Sequence, residues 1–134
     1  MKLPPKDKLE ELRVKYNLRL VLLHGSQVDG HTHKDSDIDI AVLSEDPQKD
    51  FDLLELIGDL TDLFHSDKID VSNLNRANPL LLFNATLKGE LLAGKQADYE
   101  ALKLLAFKRF HDYKPYFELE HNFVRERTKS YVSI

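Results

Sequence analysis

The chain has no cysteine and no tryptophan, and only one methionine, five glycines and five prolines in 134 residues. Without cysteine there is no disulfide and no thiolate zinc site, and the redox compartment stays undetermined. No run of about eighteen apolar residues occurs and no basic-then-apolar leader opens the sequence, so neither a membrane span nor export is expected. Repeats and low-complexity tracts are absent as well. A basic surplus is also missing. The 19 Lys and Arg stand against 23 Asp and Glu, for a net charge of −4, which disfavours direct nucleic-acid binding as the main activity.

What remains is an ordinary globular chain, 42% hydrophobic, long enough for one domain with a real core. Its charge is uneven. Residues 1–102 carry 12 Lys and Arg against 19 Asp and Glu, whereas residues 103–134 carry 7 against 4. The expected organisation is a core over residues 1–96 and a helical tail over 97–134, within a single domain.

The chemistry concentrates early. Leu18, Leu20, Val21, Leu22 and Leu23 form a short branched run that reads as a buried strand ending at His24-Gly25-Ser26. Gly25 lets backbone approach a ligand, and Ser26 adds a hydroxyl beside amide donors able to face phosphate oxygens. Ten residues later, Asp37-Ile38-Asp39-Ile40-Ala41-Val42-Leu43 reads as a second strand. Side chains alternate across a strand, so Asp37 and Asp39 project to one side while Ile38 and Ile40 face the core. Two such carboxylates repel unless a cation joins them, and Mg²⁺ suits one or two carboxylates completed by substrate phosphates. Asp70, in Lys68-Ile69-Asp70-Val71, supplies a third strand carboxylate and is the candidate general base. Two-metal displacement sites hold their ions roughly 3.5–4 Å apart, and three carboxylates suffice when a nucleotide provides the other ligands. The reaction class is attack of a hydroxyl on an α-phosphate.

Each part alone is ordinary. A lone Gly-Ser after a strand is usually a turn, and a lone Asp-x-Asp is usually a solvated strand end. The weight rests on the composite of strand, Gly-Ser, ten residues, Asp-x-Asp and a later strand aspartate.

The remaining elements follow from spacing. Lys6 to Tyr16 reads as a first helix. Leu53, Leu56, Ile57, Leu60, Leu63 and Phe64 recur at helical spacing, with Asp46-Pro47 as the expected start and an apolar stripe meant for one sheet face. Asn78-Pro79 caps a helix through Leu87, Gly89 stops it, and Glu90 to Ala93 adds an edge strand. From Ala97 the chain turns helical, with Leu102, Leu105, Ala106 and Phe110 on one face until Pro115, which is expected to kink or split the helix. Tyr113, Tyr116, Phe117 and Phe123 lie among Lys108, Arg109, Lys114, Arg125 and Arg127. That stripe either packs on the domain or meets a partner; single-stranded nucleic acid is a weaker third reading. Among the histidines, His31 and His33 read as members of a polar loop. His24 reads as a satisfied strand-end residue, or else as one lining the site.

At Leu23-His24-Gly25-Ser26 through Ser36-Asp37-Ile38-Asp39-Ile40-Ala41-Val42 the chain resembles the DNA polymerase β-like nucleotidyltransferase superfamily, in its short minimal nucleotidyltransferase (MNT) form. The likeness extends more loosely to about residue 95. The resemblance implies an α/β fold with a small mixed β-sheet flanked by helices and a helical C-terminal tail. It also implies nucleotide binding by Gly25 and Ser26, Mg²⁺ held by Asp37, Asp39 and Asp70, and ATP as substrate. Gln27 and Asp29 depart from the basic residues that many relatives carry between Ser26 and Asp37. Short MNT proteins are commonly antitoxins of HEPN-MNT toxin-antitoxin pairs, so the resemblance implies transfer of AMP to a tyrosine of a HEPN ribonuclease toxin, in the cytoplasm where nucleotide is found. Two alternatives stay open: an aminoglycoside-type nucleotidyltransferase for a small hydroxyl compound, and a non-catalytic antitoxin that covers its toxin.

Overall fold

The computed structural model describes residues 2–24 and 37–132, with side chains as far as residue 128. Gly25, Ser26, Asp29 and the histidine pair His31 and His33 lie outside the described residues. Along the chain come α1 (Lys6–Lys15), β1 (Leu18–His24), β2 (Ile38–Ser44), α2 (Leu53–Phe64), β3 (Ile69–Asn73), a 3-10 turn (Leu74–Arg76), α3 (Pro79–Leu87), β4 (Glu90–Gly94) and α4 (Gln96–Val132). The strands form one mixed sheet in the order β3-β2-β1-β4. β1 pairs antiparallel with both β2 and β4, and β2 pairs parallel with β3. A parallel pair needs a crossover, which α2 supplies.

Both faces of the sheet are covered. On one, Val21, Leu23, Ile38, Ile40 and Val42 meet Leu9 and Leu12 of α1 and Leu56, Leu60 and Phe64 of α2. On the other, Leu20, Leu22 and Ala41 meet Leu82 and Ala85 of α3 and Tyr99, Leu102 and Ala106 of α4. Such double coverage explains why β1 is a near-continuous apolar run rather than an alternating one. Burying each of these leucines contributes about 1.5–3 kcal/mol.

Two glycines are required by close approach. Gly94 sits at φ +115°, where a Cβ would strike the Arg19 carbonyl. At Gly89 a Cβ would strike the Ala85 carbonyl and crowd the Tyr99 hydroxyl, which donates to the Gly89 carbonyl at 2.7 Å and to the Thr86 carbonyl at 3.2 Å. That packing ties the α3–β4 turn to the first turn of α4.

Two expectations need correction. α2 starts at Leu53 and not at Asp46-Pro47, because Asp52 is its cap and accepts the Glu55 amide at 3.1 Å. Asp46 instead closes a local turn, accepting the Gln48 amide on its side chain at 3.0 Å. Pro115 does not split the tail: α4 runs unbroken from Gln96 to Val132 with Pro115 inside it. Residues around Pro115 are exposed, which leaves the carbonyl that loses its donor open to water. The cap at Asn78 is as expected, with its side chain accepting the Leu81 amide at 2.8 Å and Pro79 in the first turn.

Candidate functional site

The alternation of β2 sets the geometry. Ile38 and Ile40 are buried in the cluster under α1 and α2, so Asp39 lies on the opposite face, the one that carries Ala41 and receives α3 and α4. β3 obeys the same rule. Ile69 and Val71 pack against the α1–α2 cluster, which turns Asp70 to the face that Asp39 occupies.

The β2–β3 register then brings the two carboxylates together. Asp39 is the direct parallel partner of Asp70, between the pairs Ile38 with Ile69 and Ile40 with Val71. Neighbouring strands lie about 4.8 Å apart, so two acids 31 positions apart in sequence share one spot. Asp37 sits just ahead of β2 and is exposed. The amide of Ile38, beside it, donates to the Lys68 carbonyl at 2.7 Å and locks the start of β2 to β3.

Electrostatics mark Asp39 as the focus. Burial raises its carboxyl above the ordinary aspartate value, and the negative charges of Asp70 and Asp37 add to the rise, while His24 acts in the opposite sense. An acid raised by its acidic neighbours gains from a cation placed among them. Among the described residues no three His, Asp or Glu side chains form a metal cage by themselves.

His24 was legible only in part. It is the antiparallel partner of Asp39 across β1–β2, and residues so opposed project from one face. Its Nε2 is buried with no hydrogen-bond partner among the described residues, so the expectation of a satisfied strand-end histidine does not hold. A histidine directly before Gly-Ser, at the last position of an apolar strand, was the available signal. The structure thus brings Asp39, Asp70 and His24 together with Asp37 adjoining, at the end of β1 where the Gly25-Ser26 segment begins. No helix among the described residues is long and apolar enough to cross a membrane.

Comparison with known proteins bears on the family and the fold. Protein adenylyltransferase MntA of Shewanella oneidensis strain MR-1 is 37% identical over 83 residues, which make up 62% of this chain and 59% of that protein. The aligned part therefore spans less than two thirds of the curated relative. Among solved structures, a toxin-antitoxin complex with AMP-PNP contains a chain of 27% identity and TM-score 0.74, the match covering 90% of this chain and 98% of that one. A complex described as tri-AMPylated Shewanella oneidensis HEPN toxin with MNT antitoxin matches at 25% identity and TM-score 0.68, covering 90% and 95% of the two chains. Residues 7–98, which hold the four strands of the described residues and Asp37, Asp39 and Asp70, match the family described as Polymerase beta, Nucleotidyltransferase, and the chain belongs to that family.

Proposed function

We propose that this chain is an adenylyltransferase antitoxin, which transfers AMP from ATP to a tyrosine of a partner HEPN toxin and so silences it. The observation that carries the reading is the registered pair Asp39 and Asp70, on a fold shared with a chain of the tri-AMPylated HEPN toxin complex.

In the proposed reaction the acceptor hydroxyl oxygen bonds to the α-phosphorus of ATP, the bond to the β-phosphate oxygen breaks, and pyrophosphate leaves. Asp70 takes the hydroxyl proton as general base. Gly25 and Ser26 hold the triphosphate. Asp37, Asp39 and Asp70 are the residues that would hold Mg²⁺, which when bound neutralises charge on the attacking and leaving oxygens. The raised carboxyl of Asp39 fits this role: burial raises it most, and a cation would offset the added repulsion from Asp70 and Asp37. A large charged group added to a ribonuclease tyrosine brings negative charge where RNA phosphates would sit.

The test is the intact mass of the HEPN protein encoded beside this one, after incubation with the chain, ATP and Mg²⁺, with Asp39→Ala as control. Mass gain in whole AMP units on a tyrosine, absent with the control, is the expected result. A stable complex without gain favours an antitoxin that acts by covering its partner. Neither complex nor gain favours a small hydroxyl acceptor.

A further inference from the structure

Helix α4 outlasts the domain it belongs to. At 37 residues it is about 55 Å long, yet among its described side chains the last fully buried one is Ala106. Past that point Phe110 stacks on Phe83 of α3, with ring centroids 4.2 Å apart and planes 12° from parallel. Leu80 of α3 with Phe110, Lys114, Phe117, Glu118 and His121 of α4 line an open groove of about 570 Å³. Tyr116, Leu119 and Phe123 are exposed as well, at 60%, 65% and 60%, and at about 100° per residue they fall on the side of α4 turned away from the groove. A helix end that served only as a solvated extension would be polar all round; large aromatic side chains lining an open groove mark a binding surface.

We propose that this groove and the α4 face around it are the docking surface for the HEPN partner, entered by an apolar segment of that partner edged with carboxylates. The inference rests on the function proposed above. Three observations choose the occupant. First, the polarity: Glu118 offsets Lys114 within the groove, but residues 103–134 as a whole carry 7 Lys and Arg against 4 Asp and Glu in an otherwise acidic chain, so a partner whose carboxylates edge the apolar segment is favoured and a second copy of α4 would meet like charge. Second, the place: α3 and α4 cover the sheet face that carries Asp39 and Asp70, so a partner seated there approaches from the side of the carboxylates. Third, the extent: the nucleotidyltransferase family match ends at residue 98, whereas the match to a chain of the toxin-antitoxin complex covers 90% of this chain and therefore takes in much of α4. The tail is thus shared beyond the nucleotidyltransferase domain with a chain solved in a toxin-antitoxin complex.

The test is calorimetric titration of the full-length chain with its adjacent HEPN protein, in parallel with the AMP-transfer assay. Phe117→Asp is expected to weaken the complex at least about thirtyfold, the effect of losing a central aromatic anchor. Lys114→Glu combined with Arg125→Glu, at exposed positions that leave the core untouched, is expected to weaken it about tenfold and to flatten its dependence on salt. Wild-type affinity in both variants overturns the proposal even if AMP transfer proceeds. So does self-association of the chain alone that Phe117→Asp abolishes without changing toxin affinity. A complex lost in both variants, with no AMP gained by the toxin in wild type, supports the docking surface while removing the proposed activity.

Discussion

His24 and Asp39 face one another across the β1–β2 pair, with the buried Nε2 of the histidine lacking a hydrogen-bond partner among the described residues. Burial first, with the charges of Asp70 and Asp37, pushes the Asp39 carboxyl up, and His24 acts in the opposite sense. His24 therefore helps keep Asp39 ionised and ready for a cation. Replacing it by leucine is expected to raise the Mg²⁺ concentration needed for half-maximal AMP transfer by about tenfold, the usual cost of losing a neighbour that tunes a metal ligand. Magnesium titration of the transfer assay measures this, and an unchanged requirement would show that His24 is only a wall of the site.

The carboxylates themselves separate activity from folding. Asp39→Asn and Asp70→Asn are each expected to lower transfer by about a thousandfold or more, the scale of losing a metal ligand or base in the transition state. Neither should lower the melting temperature. The folded state holds the Asp39 proton more tightly than the unfolded chain, so the native fold loses stability as pH rises through that raised value, and at neutral pH the cost is fully present. Asp39→Asn removes it and should match or exceed wild type in melting temperature at pH 7. A large drop instead would assign Asp39 a structural role.

Much of the site was readable because strand alternation is a local rule. Once Ile38 and Ile40 are placed in the core, Asp39 must point the other way, whereas Asp37, expected in the same strand, sits just ahead of β2. The pairing of Asp39 with Asp70 was not readable, since it depends on how α2 carries the chain from β2 to β3 and on the register that results. The start of α2 misled for a related reason: Asp46-Pro47 and Asp52 both satisfy the chemistry of a helix cap, and only packing of Leu56, Leu60 and Phe64 on the sheet selects the second. Pro115 misled because proline's cost inside a helix is largely a carbonyl left without a donor, and the surroundings decide whether water can repair it.

Gly58 offers a clean stability test. It lies in the exposed face of α2, and a Cβ added there meets nothing within 4 Å. Gly58→Ala should stabilise the fold by about 1 kcal/mol through a lower backbone entropy cost. Urea unfolding at pH 7 would read this as a higher midpoint with an unchanged slope. No change in midpoint would mean that the α2 backbone at this position is already strained against alanine.

Tyr16 and Asp59 form the remaining hinge of charge, joining α1 to α2 by a 2.6 Å hydrogen bond from the phenol to the carboxylate. Lys15 donates to the same oxygen at 2.8 Å. Hydrogen bonds from Lys15 and then Tyr16 hold Asp59 below the ordinary aspartate value, whereas burial first, and Asp59 second, push Tyr16 up to about 12. The two shifts act at opposite ends of the pH scale. Stability drawn from Asp59 is present above the ordinary aspartate range and is lost as acid titrates it below that range. Stability drawn from protonated Tyr16 is complete below about pH 10 and is lost as pH climbs toward about 12. Tyr16→Phe should cost about 1 kcal/mol at neutral pH, the net value of one hydrogen bond, and should flatten the alkaline fall of melting temperature while leaving an acid limb, since Lys15 still holds Asp59. Asp59→Asn should do the reverse, blunting the acid limb. Melting curves from pH 2 to pH 12 on the three proteins decide the matter, and a wild-type alkaline limb in Tyr16→Phe would place its origin in another group.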